Sequence, residues 1–353
     1  MPYPNELAPL TVTQGAMRFN TDSMKLEYYR GGPVGFGTTT QTGEWVNITT
    51  DSPDIQTGGA RGVFMFGSVS GSYVNNIEYI TISTTGNAID FGDIATARGY
   101  GGAFASSTRG IFAAGQSGGS NQNAIDYITI SSTGNGISFG NLTVALIRYP
   151  SGCSNSTRGM VVGGYDGTNV LNVIQYVTIS QTGNTVDFGD LATVSYAGAT
   201  CSSSTRGVHA TGLNGPARIN TIEYFTISTL GNSADFGDLV TATSASGGLS
   251  NSTRGLFGGG YAPTSTNTIN YVTIATLGNA IDFGDLTSGR GYAASMSSST
   301  RGVFATGGAF PAGSNVIDYV TIMSTGNAVD FGDTSTGAPL GAAGCSNAHG
   351  GLG

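Results

Sequence analysis

One phrase recurs about every 48 residues along the chain, and this period limits the fold more than any other feature. The phrase, Ser-Thr-Thr-Gly-Asn-Ala-Ile-Asp-Phe-Gly-Asp at 83–93, has close relatives in five later segments. An Arg-Gly pair keeps the same period, with 47 to 49 residues between successive arginines. These arginines are Arg61, Arg109, Arg158, Arg206, Arg254 and Arg301. Internal repeats of this length are typical of β-propellers, in which each repeat builds one sheet.

Each repeat is predicted to hold four short strands, which we term a to d. Strand a is small and apolar, as at 99–105, and a Ser/Thr turn leads into strand b, as at 109–115. Strand c alternates apolar and polar residues, as at 125–130, with the period of two that indicates a strand. A Thr-Gly-Asn turn then leads into strand d, as at 89–93. The 58 glycines and the single lysine, Lys25, also favour turns and strands over helices.

The order of strands at the two ends of the repeated region predicts how the sheets are completed. The first repeat begins on a strand b at 59–65, and the last segment is a strand a at 339–345. We therefore expect the C-terminal strand to complete the first sheet and close a ring, which leaves no open edge. The predicted fold is all-β, a six-bladed propeller of residues 57–353 with a small N-terminal β-module of residues 1–56. A β-solenoid is less favoured, and a seventh blade follows if the N-terminal strands build one.

The repeats resemble the kelch motif, the repeat of a large family of β-propellers. Residues 301–333 carry, in order, Arg-Gly, a small apolar strand ending in Gly-Gly, Ile-Asp-Tyr-Val-Thr-Ile, Thr-Gly-Asn and Phe-Gly-Asp. The complete diglycine occurs at 163–164, 259–260 and 307–308, and Phe stands where the kelch motif usually has Trp. The resemblance covers residues 57–353. It implies the propeller fold but no particular activity, because kelch propellers serve many functions.

The first 56 residues do not follow the repeat. Segments 15–20 and 24–29 are predicted to form a hairpin, and a third strand at 44–48 carries the only tryptophan. Because an isolated hairpin is too small to be very stable, we expect this module to pack on the propeller, on copies of itself or on another protein. The aromatic candidates for attachment are Phe19, Tyr28 and Trp45.

Two stretches are similar to proteins of bacteriophage particles. Gly-Ala-Met-Arg-Phe-Asn-Thr-Asp-Ser-Met-Lys-Leu-Glu-Tyr-Tyr, with the later Gly-Glu-Trp-Val-Asn-Ile, resembles short β-modules of tail fibres and other virion proteins. The Thr-Gly-Asn-Ala-Ile-Asp-Phe-Gly-Asp units with their Ser-Thr-Arg-Gly turns resemble predicted structural proteins of marine bacteriophages. This resemblance implies a virion structural protein, such as a tail fibre, a spike or a capsid decoration protein, that is assembled in the host cytoplasm.

Charge and hydropathy argue against two classes of partner. The net charge of −8 opposes binding to nucleic acid, which requires a basic surface. No apolar run approaches the roughly 20 residues that span a bilayer, and the N-terminus lacks the features of a secretion signal. We therefore expect neither nucleic-acid binding nor membrane insertion.

The cysteines and histidines show no pattern of a metal or catalytic site. Cys153, Cys201 and Cys345 occupy a strand a position that is apolar in other repeats, so we expect buried thiols. His209 occupies a strand b position that is Phe or Val elsewhere, which indicates a packed or partly exposed histidine. His349 stands in the slot of the repeat arginine. Since neither a Cys-x-x-Cys spacing nor a recognisable Ser-His-Asp arrangement is present, we expect no cofactor, metal ion or catalytic residue.

Five repeats carry two aspartates in an Asp-Phe-Gly-Asp phrase, and the second repeat has Ser138 and Asn141 instead. We interpret these carboxylates as turn caps, and we expect the first aspartate of each phrase to meet a repeat arginine. A calcium site is the alternative, because hard cations prefer oxygen ligands, but the replacement of both aspartates in one repeat opposes an obligate ion. The first aspartates are Asp90, Asp187, Asp235, Asp282 and Asp330.

The loops at the opposite edge of the predicted sheets differ from repeat to repeat. In an up-and-down sheet the b–c loops and the d–a connections emerge together, away from the uniform Ser-Thr-Arg-Gly and Thr-Gly-Asn turns. Loops on a rigid scaffold commonly carry recognition, and Tyr and Arg suit interfaces and stacking on sugars. Drift in unconstrained loops is the alternative. The candidate binding residues are Arg98, Tyr100, Arg148, Tyr149, Tyr165, Asp166, Tyr196, Arg218, Tyr261, Arg290 and Tyr292.

These observations predict a virion structural protein whose variable loops contact a host cell-surface glycan or another virion protein. Residues 1–56 are expected to contact other virion proteins or to form a homo-oligomer, such as a trimer. The first alternative is an enzyme, a propeller glycosidase or lyase acting on surface polysaccharide. Sialidase propellers have a similar c–d turn, the Asp-box, but six near-equal copies do not single out the two opposed carboxylates that a glycosidase needs. The second alternative is a kelch-type protein–protein adaptor.

Overall fold

The computed structural model describes residues 17–20, 25–31, 43–47, 60–65, 67–144, 147–335 and 337–352. Over these residues the chain is all-β, and its one helical element is a single 3-10 turn, Gly350–Leu352. None of the described helical structure is long and apolar enough to cross a membrane. Two compact units are present, Met1–Ser52 and Pro53–Gly353. The domain boundary expected at residue 56 lies outside the described residues.

The first unit is a small antiparallel sheet with the strand order β1-β2-β3. Its strands are β1 (Met17–Asn20), β2 (Lys25–Gly31) and β3 (Gly43–Asn47). The hairpin and the third strand that the sequence predicts are therefore present. The side chains of Phe19, Tyr28 and Trp45 lie outside what the structure describes, so their role in attachment stays a prediction.

The second unit consists of short antiparallel strands that recur in each repeat. The first three repeats hold β4 (Arg61–Met65), β5 (Ser68–Val69), β6 (Ser72–Tyr73), β7 (Asn76–Thr81), β8 (Ile89–Asp93), β9 (Gly102–Ala105), β10 (Arg109–Ala113), β11 (Gln116–Ser117), β12 (Ser120–Asn121), β13 (Ala124–Thr129), β14 (Ile137–Asn141), β15 (Ser151–Ser154), β16 (Arg158–Tyr165), β17 (Val170–Thr178) and β18 (Val186–Asp190). The later repeats hold β19 (Ala199–Ser202), β20 (Arg206–Ala210), β21 (Leu213–Asn214), β22 (Ala217–Thr226), β23 (Ala234–Thr243), β24 (Gly247–Ser250), β25 (Arg254–Gly258), β26 (Tyr261–Ala262), β27 (Thr264–Ser265), β28 (Thr268–Thr273), β29 (Ile281–Asp285), β30 (Ala294–Ser297), β31 (Arg301–Ala305), β32 (Val316–Thr321), β33 (Val329–Asp333), β34 (Pro339–Leu340) and β35 (Ala343–Ser346).

Strands a to d of each repeat lie side by side in one sheet. The sheets are β9-β10-β13-β14, β15-β16-β17-β18, β19-β20-β22-β23, β24-β25-β28-β29, β30-β31-β32-β33 and β35-β4-β7-β8. The third of these also includes β21, which pairs with β22. Further short pairings, β11-β12, β26-β27 and β34-β5-β6, lie in the b–c loops or connect to them. The four-stranded repeat predicted from the sequence is confirmed.

The sheet of the first repeat takes its strand a from the far end of the chain, because β35 pairs with β4. In this sheet strands a and b are not consecutive in the chain, so no covalent turn joins them. A hydrogen bond like that of the a–b turns in other repeats is nevertheless present. Arg61 N–H donates to Asn347 Oδ1 at 2.8 Å. In the second repeat, Arg109 N–H donates in the same way to Ser106 Oγ at 3.1 Å. The C-terminal segment therefore supplies the strand that the first repeat lacks.

The hydrophobic core lies between neighbouring sheets. Phe104 of β9 packs in one cluster with Val161 and Val177 of the following sheet. Phe64 of β4 packs in another with Met296, which belongs to the last complete repeat. Full burial of such a side chain contributes about 1.5–3 kcal/mol, so these clusters hold each sheet against its neighbours.

The repeated Thr-Gly-Asn turn, in which Leu230 and Leu277 replace the threonine in two repeats, joins each sheet to the previous one. Gly134 N–H donates to Phe91 O, and Gly136 N–H donates to Asp93 O, both at 2.8 Å. In return, Asp93 N–H donates to Asn135 Oδ1 at 3.1 Å. The same three bonds recur between every successive pair of sheets, including the last and the first. The turn thereby covers the edge of strand d, which would otherwise stay open.

Candidate functional site

Three tyrosines lie where the d–a connections of different repeats meet. Tyr100, Tyr149 and Tyr292 share a left-handed backbone conformation, each with a φ of 59°. Ala197 and Ala245 hold the same position in two other repeats, with φ values of 52° and 59°. A series of backbone bonds links these residues, since each N–H donates to the carbonyl of its counterpart one repeat earlier, at 2.6 to 2.9 Å. This conformation separates the connection from strand a, which begins at residue 102 rather than at residue 99 as the sequence predicts.

The rings of these three tyrosines contact one another. The ring centroids lie 4.9 Å apart for Tyr100 and Tyr149, 5.2 Å apart for Tyr100 and Tyr292, and 5.7 Å apart for Tyr149 and Tyr292. Tilted and edge-on pairs at such distances contribute about 0.5–1.5 kcal/mol each beyond the burial of their area. Three connections that are far apart in sequence therefore meet in one aromatic group.

Arg148 and Tyr196 extend the group on one side. The Tyr196 ring lies 5.9 Å from the ring of Tyr149 and 5.5 Å from that of Tyr165. The Arg148 guanidinium lies 5.3 Å from the Tyr149 centroid and 5.2 Å from the Tyr165 centroid. Arg148 and Tyr196 hold equivalent positions, because Arg148 forms a backbone bridge with Tyr165 and Tyr196 forms one with Leu213.

Two tyrosines of the b–c loops complete the group. Tyr261 lies 5.8 Å from Tyr292, and Tyr73 lies 6.4 Å from Tyr100, measured between ring centroids. The Tyr73 hydroxyl donates to Gln116 Oε1 at 2.7 Å, which fixes this ring. We call the whole group the tyrosine cluster, and its members are Tyr73, Tyr100, Tyr149, Tyr165, Tyr196, Tyr261 and Tyr292. All of them are half-buried, with part of each ring open to solvent.

Phe310 adds an exposed ring beside the tyrosine cluster. It is 67% exposed, and its N–H donates to the Tyr261 hydroxyl at 2.8 Å. A cavity of about 300 Å³ is lined by Tyr100, Tyr149, Tyr261, Tyr292 and Phe310. Tyr73 and Phe310 are not among the binding residues predicted from the sequence. Both are aromatic residues of the divergent b–c loops, and that shared feature would have identified them.

Burial raises the pKa of five phenols of the tyrosine cluster. Desolvation is the main cause that raises the pKa of these hydroxyls, namely Tyr73, Tyr100, Tyr149, Tyr261 and Tyr292. A phenol whose pKa lies above its usual value of about 10 is protonated at neutral pH. These hydroxyls therefore act as neutral hydrogen-bonding groups and not as bases.

Arg98 and Arg290 are not surface residues, which contradicts the prediction that they bind a partner. Both are only 1% exposed. Arg98 Nη1 lies 2.6 Å from Asp126 Oδ2, and its Nη2 donates to Phe112 O at 3.1 Å. Arg290 forms a buried ion pair with Asp318. A buried guanidinium requires such a partner, because an unpaired charge in the interior is very costly.

The partners of these arginines belong to a buried polar position that was not among the sites predicted from the sequence. It lies in strand c, just before the repeat tyrosine, and holds Glu78, Asp126, Gln175, Glu223, Asn270 and Asp318. Several of these side chains hold the d–a connection of the previous repeat. Glu223, for example, accepts the N–H groups of Ala192 and Thr193 at 2.9 Å each. The position therefore anchors the connections that carry the tyrosine cluster. Its signal in the sequence was a polar residue directly before the tyrosine of strand c in every repeat.

Arg218 and Asp166 have different surroundings. Arg218 lies opposite Leu213 in a b–c hairpin, and its Nε has no hydrogen-bond partner among the described residues. Asp166 is exposed and accepts the backbone N–H groups of Asn169 and Thr168 at 2.6 and 2.7 Å. These bonds lower the pKa of its carboxyl. Asp166 thus shapes its own loop.

The repeat arginines do not pair with the repeat aspartates, which contradicts that prediction. In the first repeat, the Arg61 guanidinium lies 4.4 Å from the Tyr79 ring centroid and donates to Ile130 O at 2.9 Å. Asp90 is exposed, and in the register it stands opposite Glu78. Because successive strand residues point to opposite faces, Tyr79 and Glu78 face opposite ways, and Asp90 shares the face of Glu78. The arginine and the aspartate therefore lie on different faces of the sheet.

The three cysteines lie in strands a and are buried, as predicted. They are Cys153 in β15, Cys201 in β19 and Cys345 in β35, and all three are free thiols. Burial raises the pKa of Cys153 and Cys345 to about 12 and raises that of Cys201 as well. A thiol that stays protonated is a poor nucleophile, so these side chains contribute packing.

Both histidines belong to the interior rather than to a surface site. His209 is 3% exposed, its Nδ1 lies 3.2 Å from Ser151 Oγ, and burial lowers its pKa to about 4. His349 is partly buried and lies 2.8 Å from Ala105 O through its Nε2. His349 does not replace the repeat arginine of the first sheet, because Arg61 fills that position itself.

A second cavity lies under the tyrosine cluster, among the strands a. Its volume is about 100 Å³, and Gly, Ala and Ser form most of its lining, together with Tyr100, Tyr149 and Tyr292. Its lining contains no acidic or basic side chain. Over the described part of the chain, no three His, Cys, Asp or Glu residues are grouped so that they could hold a metal ion.

No protein-family model and no curated protein matches this chain. The resemblances to the kelch motif and to bacteriophage proteins therefore stay predictions that rest on the motifs quoted above. The function is best judged from the surface that the unlike loops build, which is the tyrosine cluster with Arg148 and Phe310.

Proposed function

We propose that the sheets of the second unit are the blades of a closed, six-bladed, kelch-like β-propeller. The common strand order and the pairing of β35 with β4 support this proposal. So do the Thr-Gly-Asn turns, which link each sheet to the previous one, and the last to the first. Strands a also contact each other in the cyclic order β9, β15, β19, β24, β30, β35 and back to β9.

We propose that this propeller is a recognition module and that the tyrosine cluster is its binding surface. The observation that carries the proposal is the meeting of seven half-buried tyrosines from connections and loops of different repeats. Tyrosine offers a large, rigid contact area and a polar hydroxyl, which suits binding to a carbohydrate or a protein. The anchored connections hold these rings in place before a ligand arrives, which lowers the cost of binding.

An enzyme is the weaker candidate. A glycosidase needs two opposed carboxylates about 5 to 10 Å apart beside the substrate. The cavity under the tyrosine cluster is lined by small and aromatic residues. Two carboxylates of the neighbouring segments are already engaged, Asp126 by Arg98 and Asp166 by the backbone of its own loop. The geometry thus favours binding over turnover.

We propose a virion structural protein as the setting of this module. The support is the resemblance of residues 15–48 and of the repeats to bacteriophage structural proteins. In this role the first unit attaches the chain to other virion proteins or to copies of itself, and the propeller presents the tyrosine cluster to a host cell-surface glycan. The protein would then be found in the virion after assembly in the host cytoplasm.

Two experiments test these proposals. The first experiment is mass spectrometry of purified virions of the bacteriophage whose genome encodes this chain. The chain is expected in stoichiometric amounts, and its absence from the particles would refute the virion role. For the recognition role, the full chain is applied to an array of bacterial surface polysaccharides, where wild type is expected to bind and Tyr149→Ala to lose binding. Alanine is compatible with this backbone, because Ala197 and Ala245 hold the same left-handed position.

A matched control separates the recognition surface from a general loss of structure. Ile137→Ala removes an exposed apolar side chain, 59% exposed, from strand β14. This variant is expected to bind as wild type does. Equal loss in both variants, or hydrolysis or elimination products released from the array, would contradict the proposal of a binding module with its site in the tyrosine cluster.

A further inference from the structure

The ten arginines in the described part of the second unit fall into three groups. Six repeat arginines each stack on a tyrosine of their own sheet and donate to a backbone carbonyl. Arg98 and Arg290 are buried in ion pairs. The remaining two are Arg148 and Arg218, and neither forms an ion pair or a side-chain hydrogen bond with a described residue.

Arg148 differs from Arg218 in where its charge is held. Its guanidinium lies over the rings of Tyr149 and Tyr165, both within 5.3 Å of the ring centroid. Its Nε, like that of Arg218, is buried without a partner among the described residues. The acidic side chain of the adjoining loop, Asp166, is occupied by its own backbone bonds. A positive charge without a counter-ion is thus fixed inside the tyrosine cluster, although the chain as a whole carries a net charge of −8.

We propose that Arg148 and the tyrosine cluster form a binding site for an acidic carbohydrate, in which Arg148 pairs with a sugar carboxylate. This inference rests on the proposed recognition function and names its ligand class. The planar guanidinium matches a carboxylate through two parallel N–H···O bonds, and its stacking on two rings fixes the orientation of that fork. Sugar faces stack on the exposed tyrosine rings, and the neutral phenols hydrogen-bond to sugar hydroxyls.

The dimensions and the charge of the site agree with this ligand. The cavity of about 300 Å³ beside Phe310 is lined by Tyr149, the ring that also contacts Arg148. Its volume is at the lower limit of the pockets that hold small ligands, which suits one or two sugar residues. A polyanion is repelled by the net negative charge of the chain, so a local cation is needed to select it. Nucleic acid is opposed by the same net charge, because its affinity depends on many phosphate contacts.

The test uses the full chain and isothermal titration with carboxylated oligosaccharides and their uncharged partners. The probes are hexagalacturonate, hexamannuronate and sialyllactose, each compared with its methyl ester, which has the same sugars without the charge. We expect at least one acid to bind, and its methyl ester to bind about tenfold more weakly. Arg148→Gln is expected to lose the same factor for the acid while leaving binding of the ester unchanged.

Arg218→Gln is the matched control, since it makes the same change of charge at an arginine outside the tyrosine cluster. It is expected to change binding of the acid by less than about twofold, because among the described residues no ring of the tyrosine cluster holds its guanidinium, as Tyr149 and Tyr165 hold that of Arg148. Equal losses in Arg148→Gln and Arg218→Gln would show a general charge effect and overturn the inference. Equal binding of acid and ester overturns it as well, but leaves the recognition function intact. Failure of every carboxylated probe to bind at millimolar concentration also overturns it, whereas the array and particle experiments decide the recognition function separately.

Discussion

The loops at the two ends of the strands in the second unit are built in different ways. We call the end with the Thr-Gly-Asn turns the uniform edge and the end with the d–a connections the variable edge. At one edge, the Thr-Gly-Asn turns repeat the same three bonds between each pair of sheets, and two of the three join backbone atoms alone. At the other edge, the d–a connections are held by side chains that differ between repeats, such as Arg98 with Asp126 and Glu223 with the N–H of Thr193. The uniform edge joins successive sheets in the same way throughout the unit, and the variable edge positions the tyrosine cluster.

This difference separates what the phrase Asp-Phe-Gly-Asp does from what the buried carboxylates do. Asp90 belongs to the uniform edge, where the backbone of its strand bonds to the turn of the next sheet. Its exposed carboxylate takes no part in that contact. Asp318 belongs to the variable edge, where its carboxylate is the partner of a buried guanidinium and also accepts from Thr287. Carboxylates at two repeated positions of the sequence are therefore unequal in their contribution to stability.

The largest expected effect tests the anchors of the variable edge. Asp318→Ala leaves Arg290 buried without a counter-ion, and we expect it to lower the free energy of unfolding by about 3–5 kcal/mol. Asp90→Ala, at the uniform edge, is expected to change it by less than about 0.5 kcal/mol. Urea titration of both variants and wild type measures the two values. Similar decreases in the free energy of unfolding in both variants would refute the assignment that the repeat aspartates contribute little to stability.

A buried histidine gives the next effect, through pH. His209 fills a strand b position that is Phe or Val in other repeats, and its pKa is lowered to about 4 from 6.5. The unfolded chain binds a proton at this histidine more readily than the folded chain does. The contribution of neutral His209 to the free energy of unfolding is therefore fully present above pH 6.5, and it is lost as the pH falls from 6.5 to about 4. A shift of this size corresponds to roughly 3 kcal/mol.

Replacement of the histidine tests this pH dependence. His209→Phe restores the residue type of the equivalent position Phe112, and we expect it to remove most of the stability loss between pH 6.5 and 4. The measurement is urea unfolding at several pH values in wild type and variant. His349 stays in both proteins, and burial also lowers its pKa, so a smaller dependence is expected to remain. An unchanged pH profile in His209→Phe would contradict the assignment.

Two glycines of the uniform edge distinguish close approach from backbone strain. Gly92 has a φ of +140°, and a Cβ there would lie 2.5 Å from Gly134 O of the next turn. Gly86 has a φ of +155°, but a Cβ there meets nothing within 4 Å. We expect Gly92→Ala to cost roughly 2–3 kcal/mol and Gly86→Ala roughly 1 kcal/mol, since only the first must also displace the junction. Thermal and urea unfolding measure both, and equal losses would mean that the backbone conformation alone sets the cost.

Periodicity made the sheets of the second unit predictable from the sequence. Strand d was predicted at 89–93 and is Ile89–Asp93. The Thr-Gly-Asn turn fixes where the strand begins, and the alternating residue pattern fixes how far it extends. The Thr-Gly-Asn turn was predicted as a turn, but its bonds to the previous sheet were not, since a single repeat does not show which segment lies beside it.

The tyrosine cluster was predictable in part, and the arginines show why. Arg98 and Arg148 both precede a tyrosine of a d–a connection, so composition does not distinguish them. Arg98 stands two residues before Tyr100, whereas Arg148 stands directly before Tyr149. The shift of one residue places Arg98 in the interior against Asp126 and Arg148 against two rings. The difference in spacing was visible in the sequence, but its meaning depends on which strand c lies behind each connection.

The smallest effect concerns the one side-chain bond among the three bonds that each Thr-Gly-Asn turn makes with the previous sheet. Asn135→Ala removes the acceptor of the Asp93 N–H and leaves the two backbone bonds of that junction in place. We expect a loss of about 1 kcal/mol, the usual net contribution of one hydrogen bond. Asn135→Asp keeps an acceptor at the same atom and is the matched control, with a smaller expected loss, both measured by urea unfolding. A loss in Asn135→Ala as large as that in Asp318→Ala would mean that side chains hold the uniform edge as they hold the variable one, and the contrast between the two edges would be wrong.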